Sequence, residues 1–235
     1  MEMNSAIVTG GNGALGRVVA STLMNNGIRV AIPVRPGSRE GDLPPEPANG
    51  AGLLYWGESD ITAESGASAF VNETAGRWGG VGILVNCAGG YAGGEKIGEV
   101  TAATFEEMIT ANLRTAFLMS GAVLPLMRGA KRGRIISIAA MAALSPAPSR
   151  GAYAIAKRGV VTLTETIAEE VKGSGITANA IAPGVILTPA NRAAMPSADS
   201  SRWVTPEEIA AIVLFLCSED ARSVNGNVLK LQRGV

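Results

Sequence analysis

The sequence predicts an α/β fold: a single-domain, doubly wound parallel sheet with helices on both faces. Three observations carry that expectation. Short β-branched runs alternate with longer amphipathic ones from end to end, the pattern of a parallel sheet covered on both sides. Several boundaries are punctuated by capping residues and glycines. Hydrophobic residues make up 47% of the 235 positions and charged ones 17%, ample for one core and too apolar for disorder.

Residues 6–9 read as a strand and 14–26 as a helix, with Gly27 just past its end where a left-handed cap needs glycine. A second strand covers 29–34. Pro36, Gly37, Pro44, Pro45, Pro47 and Gly50 then oppose a regular helix and predict a long loop. Residues 53–56 read as a strand, 63–78 as a helix and 81–86 as a strand. One long helix is expected over 102–127, a strand over 134–138, a helix over 151–172, and strands over 177–181 and 228–231. Thr205-Pro206-Glu207-Glu208 opens the helix before that last strand, with threonine at the N-cap and glutamate at the third helical position. No repeat, linker or low-complexity tail divides the chain, so one domain is expected over 1–235.

The charge balance narrows the partners. Twenty basic residues meet twenty acidic ones, without the basic excess of a nucleic-acid binder. No run approaches the ~18 consecutive apolar residues of a membrane span. The first residues lack a signal-peptide pattern, which points to a cytoplasmic protein. Cys87 and Cys217 sit in apolar stretches and read as buried, reduced thiols. Histidine is absent. That excludes Ser-His and Cys-His mechanisms and histidine-ligated zinc, and no metal site is expected. Proton transfer then falls to Tyr, Lys, Asp or Glu.

Thr9-Gly10-Gly11-Asn12-Gly13-Ala14-Leu15-Gly16 lies where the first strand turns into the first helix. Glycines there let the backbone approach a pyrophosphate, whose charge suits the unpaired N–H groups of a helix N-terminus. A dinucleotide site of the Rossmann type follows, although glycines also serve ordinary turns. An acid after the second strand would mark NAD, but the first is Glu40. Arg35, with Arg39, is placed to pair with the extra phosphate of NADP. NADP is therefore the expected cofactor and NAD the alternative; a solvated surface charge is the plainer reading of Arg35.

Tyr153 and Lys157 stand four residues apart, neighbours on one helix face. A free phenol titrates near ~10, too high for efficient exchange at neutral pH. A neighbouring cation is expected to lower that value and make Tyr153 a usable acid or base. Alone, such a pair is more often a surface feature.

Its company is informative. The glycine turn, Asp60-Ile61, Asn86-Cys87-Ala88-Gly89, Asn112, Tyr153, Lys157, Pro183-Gly184 and Thr188 follow the order and spacing of the short-chain dehydrogenase/reductase family, which the chain resembles from end to end. The resemblance implies an oxidoreductase using NADP or NAD on a small-molecule substrate. It implies that Asp60 and Ile61 border the adenine, and that Asn86, Ala88 and Gly89 line the cofactor. Lys157 would bind the nicotinamide ribose, and Asn112 would hold a water linking Lys157 to solvent. Pro183, Gly184, Ile186 and Thr188 would seat the nicotinamide; Asn112 and Thr188 also suit plain capping or turn roles.

Two positions depart from the family pattern. Ala14 replaces a usual glycine, and Ala140 stands thirteen residues before Tyr153, where a substrate-binding serine is normal. Ser137 is too early, while Ser145 and Ser149 lie in the following loop. Ala139-Ala140, the run 88–94 and the run 188–196 followed by Trp203 resemble the family's dihydropteridine reductase branch, which works without that serine. Three readings remain: a reductase or dehydrogenase of carbonyl or quinonoid compounds, a pterin reductase in the narrow sense, and a non-catalytic dinucleotide-binding or sensing protein. Residues 190–203 form either an apolar lid, through Met195, Pro196 and Trp203, or part of the core. Phe117-Leu118-Met119 suits either a homo-oligomer interface, as in the dimers and tetramers of the family, or the core.

Overall fold

Strand β1 (Ser5–Thr9) is buried at every position, because Ala6 and Val8 face one layer of helices and Ile7 the other. The computed structural model describes residues 4–38, 43–47 and 52–233; Arg39, Glu40 and Gly50 lie outside them. Helix α1 (Ala14–Asn25) is followed by β2 (Arg29–Val34), β3 (Leu54–Glu58), α2 (Glu64–Trp78) and β4 (Ile83–Asn86). Then come α3 (Ala102–Met108), a π-helical stretch (Ile109–Arg114), α4 (Thr115–Ala130), β5 (Gly133–Ile138) and α5 (Gly151–Glu170). The chain closes with β6 (Ile176–Pro183), α6 (Pro189–Ala194), α7 (Pro206–Cys217) and β7 (Val228–Leu231). Among the described residues the strands form one seven-stranded parallel sheet in the order β3-β2-β1-β4-β5-β6-β7.

Helices α1 and α7 cover one face, where Val19, Leu23 and Met24 meet Ile209, Val213 and Leu216 over Val8, Ile32 and Ile136. On the other face α2, α4 and α5 bring Phe70, Met119, Val123 and Ile167 onto Ile7, Leu84 and Ile135. The expected doubly wound fold is therefore present. Thr205 and Glu208 form the reciprocal cap of α7.

Three local expectations change. β3 starts one residue later and runs on to Glu58, so an acid stands at its carboxyl end. The helix expected over 102–127 is interrupted by the π-helical stretch around Asn112. A short helix, α6, occupies part of the expected lid and buries none of its residues. The helical run Ala102–Ala130 is long enough to cross a membrane, with a mean hydropathy of 1.2 in its most apolar window. Its Met119, Val123, Leu124 and Met127 are, however, packed into the core.

The fold positions a site. β1 pairs with β2 on one side and β4 on the other, with Thr9 in register with Asn86. Chain order reverses there, so a crevice opens beyond the carboxyl ends of β1 and β4.

Candidate active site

The turn from β1 into α1 is crowded with backbone. Gly10 adopts φ 64°, and the Gly13 N–H donates to the Gly10 carbonyl at 2.9 Å. A Cβ on Gly16 would overlap that same carbonyl oxygen, and one on Gly11 would come within 2.7 Å of the Ile32 side chain. No side chain caps α1 at Gly13. The Gly13 N–H is taken by Gly10, and the next N–H groups, of Ala14 and Leu15, remain free for an anion. Ala14 is exposed, so its methyl does not obstruct the turn. Thr9 reaches across the crevice: its Oγ1 accepts from the Ala88 N–H at 3.0 Å.

At the adenosine end, Arg35 is exposed and opens a turn in which its carbonyl accepts from Ser38. Sequence reading missed the group beside it. Glu58 accepts a hydrogen bond from the Gly37 N–H at 2.9 Å, bringing a carboxylate to the turn after β2 from the end of β3. No linear signal announces this contact, because it depends on β3 pairing with β2. Asp60 binds the Thr62 N–H and hydroxyl, which together with the Arg35 charge hold its carboxyl below the usual range. Ile61 is half-buried and packs against the core on the α2 face.

Asn86 lies buried between two hydroxyls, its Nδ2 donating to Ser120 at 3.2 Å and Ser137 at 3.3 Å. Its Oδ1 has no hydrogen-bond partner among the described residues. Ser137 is thus engaged behind the site. Asn112 is 1% exposed and faces Gly90. Its Oδ1 accepts from the Gly90 N–H at 3.3 Å, while its Nδ2 donates to the carbonyls of Gly90 (3.1 Å) and Met108 (3.0 Å). The π-helical stretch breaks the regular ladder, and the amide side chain returns to the Met108 carbonyl.

Gly89 joins this group to Lys157. A Cβ at residue 89 would stand 2.5 Å from Asn112 Oδ1 and 3.3 Å from Lys157 Nζ, so only glycine fits between them. Lys157 Nζ donates to the Ile138 carbonyl at 2.8 Å, and burial pushes its pKa down to about 8. Tyr153 lies one helical turn earlier, edge-to-face with Tyr91 at 5.0 Å between centroids.

The expectation that a cation lowers the phenol's pKa is corrected here. Burial pushes Tyr153 up to about 12, the Tyr91 phenol adds to the rise, and Arg150 opposes both. Desolvation outweighs the charge, and the opposing cation is Arg150, not Lys157. Sequence reading missed Arg150 too, although its place three residues before Tyr153 was a signal.

Ala140 is 7% exposed and extended, so a buried methyl occupies the position of the missing hydroxyl. Ser145 is exposed. Ser149 takes φ 59° and lines a 260 Å³ cavity with Glu95, Val100 and Thr104; Tyr153 is not in its lining. Pro183 ends β6, and the Gly184 N–H is held by the Leu231 carbonyl at 2.9 Å. Ile186 bridges to Val204. The Thr188 hydroxyl oxygen caps α6 by accepting from the Asn191 N–H at 3.2 Å. Trp203 is 6% exposed, with the Arg192 guanidinium 5.6 Å from its ring centre. It anchors the segment in the core, while Pro196 is exposed and Met195 half-buried.

Residues 4–198 match the family model described as short chain dehydrogenase. D-beta-hydroxybutyrate dehydrogenase of Rhizobium meliloti (strain 1021) is 29% identical over 252 residues, covering 98% of this chain and 97% of that protein. Levodione reductase of Leifsonia aquatica is 32% identical over 247 residues, covering 97% of this chain and 92% of that protein. The solved structure of ElxO with NADP bound aligns with a TM-score of 0.91 at 26% identity, covering 97% of both chains.

Proposed function

The chain belongs to the short-chain dehydrogenase family and is an oxidoreductase, and from that premise we propose that its cofactor is NADP(H). Its substrate in this reading is a small carbonyl, quinonoid or pterin-like compound. The observation that carries the reading is the convergence of Asn112 and Lys157 on Gly89, one helical turn from Tyr153, beside the uncapped N-terminus of α1. A nicotinamide dinucleotide in that crevice supplies the hydride donor or acceptor.

The chain's own residues do the rest. The free N–H groups of Ala14 and Leu15 face the pyrophosphate, with Asn12 and Gly13 beside them, while Gly10 and Gly16 let it come close. Asp60 and Ile61 border the adenine; Asn86, Ala88 and Gly89 line the middle of the crevice. Pro183, Gly184, Ile186 and Thr188 seat the nicotinamide end. Tyr153 Oη gives a proton to the reduced substrate oxygen or nitrogen, or takes one in the reverse direction. Lys157 Nζ, held at the Ile138 carbonyl, presents its remaining N–H groups to the ribose. Asn112 steadies the Gly90 backbone and carries the water path behind Lys157.

Ala140 offers no donor to the substrate oxygen, a contribution worth roughly 100-fold or more where charge develops there. That favours an electron-poor acceptor, such as the quinonoid dihydropterin suggested by the likeness of 88–94 and 188–196 to the dihydropteridine reductase branch. Glu58, at the Gly37 N–H beside Arg35, favours NAD as the second reading.

Phe117 and Ile155 are 60% and 50% exposed on α4 and α5, which supports a dimer or tetramer built through these helices. Two free thiols, Cys87 and Cys217, suit a cytoplasmic setting.

The test is a substrate panel of ketones, quinones and quinonoid dihydropterin, run with NADPH and NADH on the wild type and Tyr153→Phe. The variant should bind cofactor normally and lose roughly 10²–10⁴ in turnover. A wild-type rate without the hydroxyl would sink the mechanism. Equal or tighter binding of NADH would sink the NADP assignment.

A further inference from the structure

Tyr91 is the sole large side chain in Ala88-Gly89-Gly90-Tyr91-Ala92-Gly93-Gly94, and three features hold its ring at the mouth of the site. Gly90, its neighbour, is bound at both its N–H and carbonyl by the Asn112 amide. Gly94, three residues on, donates its N–H to the Ser149 carbonyl at 2.8 Å, on the loop that leads into α5. The ring itself meets Tyr153 edge-to-face, with planes at 77°. The small residues around it leave room: an added Cβ at Gly94 would touch nothing within 4 Å, and one at Gly90 would reach only Met108 Cε at 3.9 Å. Gly93 is different. A Cβ there would strike the Tyr91 hydroxyl, so glycine is what lets the ring lie where it does.

An aromatic ring pinned at its backbone and in contact with the proton-transfer group is nevertheless 60% exposed. The exposed Tyr91 ring therefore borders Tyr153. The position expected to orient a substrate by hydrogen bonding, residue 140, carries only a buried methyl. Some other group must set the angle at which the substrate meets Tyr153 Oη.

We propose that Tyr91 is the specificity-determining residue of this site: its ring is the wall on which a planar, conjugated substrate ring lies while its reacting atom faces Tyr153. Orientation comes from a flat surface where related sites use a hydroxyl. Aromatic rings in offset or edge-to-face contact gain beyond the area they bury, and the contact tolerates any ring of suitable width. A compact aliphatic ketone has no such surface and gains little from the wall. The inference rests on the reductase reading above, which assigns Tyr153 the proton.

The experiment separates the two. Turnover of 1,4-naphthoquinone and of 2,3-butanedione is measured for the wild type and for Tyr91→Phe, Tyr91→Ala and Gly93→Ala. Calorimetry with fully aromatic pterin, which needs no turnover, is run on the same four proteins with cofactor present. Tyr91→Phe should match the wild type, because the ring remains. Tyr91→Ala should raise KM for the quinone roughly 5- to 10-fold, with kcat and the diketone parameters within about twofold, and should weaken pterin binding by a similar factor. Gly93→Ala should reproduce this pattern by displacing the ring. Equal losses on quinone and diketone would mean that Tyr91 merely props Tyr153, and would overturn the proposal. So would pterin binding that is absent in the wild type or unchanged in Tyr91→Ala. Pterin binding that depends on the ring, with no turnover of any substrate, would leave the wall standing and overturn the reductase reading instead.

Discussion

The turn over residues 10–16 and the loop over residues 88–94 are both rich in glycine, and they use it for opposite ends. In the first, backbone crowds backbone: a side chain at Gly16 would overlap the Gly10 carbonyl, and one at Gly11 would enter the space of Ile32. In the second, Gly90 and Gly94 border open space, and Gly93 leaves room for the Tyr91 ring. Glycine serves close packing of helix on strand in the turn and leaves space around a ring in the loop. The turn is therefore expected to tolerate almost no change, whereas the loop, held to glycine at Gly89 and Gly93, accepts a side chain at Gly90 at little cost to the fold.

Substitutions can break or sharpen this contrast. Gly16→Ala should have the largest effect. NADPH affinity should fall roughly 10- to 100-fold, the equivalent of the 1–3 kcal/mol that overpacking costs, and a thermal melt should shift down by several degrees. A variant that binds and melts like the wild type would show that the turn has slack.

Arg35→Glu comes next. It places a second carboxylate near Glu58, and NADPH binding should weaken by about 10-fold or more while NADH is spared. Fluorescence titration with both cofactors reads the ratio, and parallel losses would reduce Arg35 to a general surface charge.

Arg150→Ala should act on pH dependence. Its cation opposes the burial that raises the Tyr153 pKa, so its removal raises that pKa further. Alcohol oxidation needs the phenolate, and its rate rises with pH toward the Tyr153 pKa. The rising limb should therefore move to higher pH, with a loss of about two- to five-fold at neutral pH, the scale of an exposed charge. Reduction needs the protonated phenol and should be unaffected at neutral pH. A limb that moves toward lower pH would contradict the role of Arg150.

Gly90→Ala should change least. With Met108 Cε as the nearest neighbour at 3.9 Å, stability should stay within about 0.5 kcal/mol and cofactor binding should hold. A large loss would erase the difference between the two glycine segments.

Much of the fold was readable from the chain itself. Strand runs, the glycine turn and the Thr205/Glu208 cap depend on residues close in sequence, so their pattern predicts the doubly wound sheet that the structure contains. The candidate site was readable as a set of residues, with less of its geometry. Asn112 was expected within an unbroken helix but sits in a π-helical stretch, a choice made where α3, α4 and α5 pack together. Thr188 was expected to seat the nicotinamide and is also engaged in capping α6.

Local pattern thus determined which elements form and where the candidate site residues fall along them, because hydrophobic period, capping and turn preference act over a few positions. Tertiary structure alone decided that Glu58 reaches the turn beside Arg35, that Lys157 spends a hydrogen bond on Ile138, and that Tyr91 lies against Tyr153. Each of those contacts joins segments brought together by sheet register and helix packing. The free energy of burying Tyr153, which raises its pKa against the neighbouring charge, likewise exists only once the surrounding layers have closed over it.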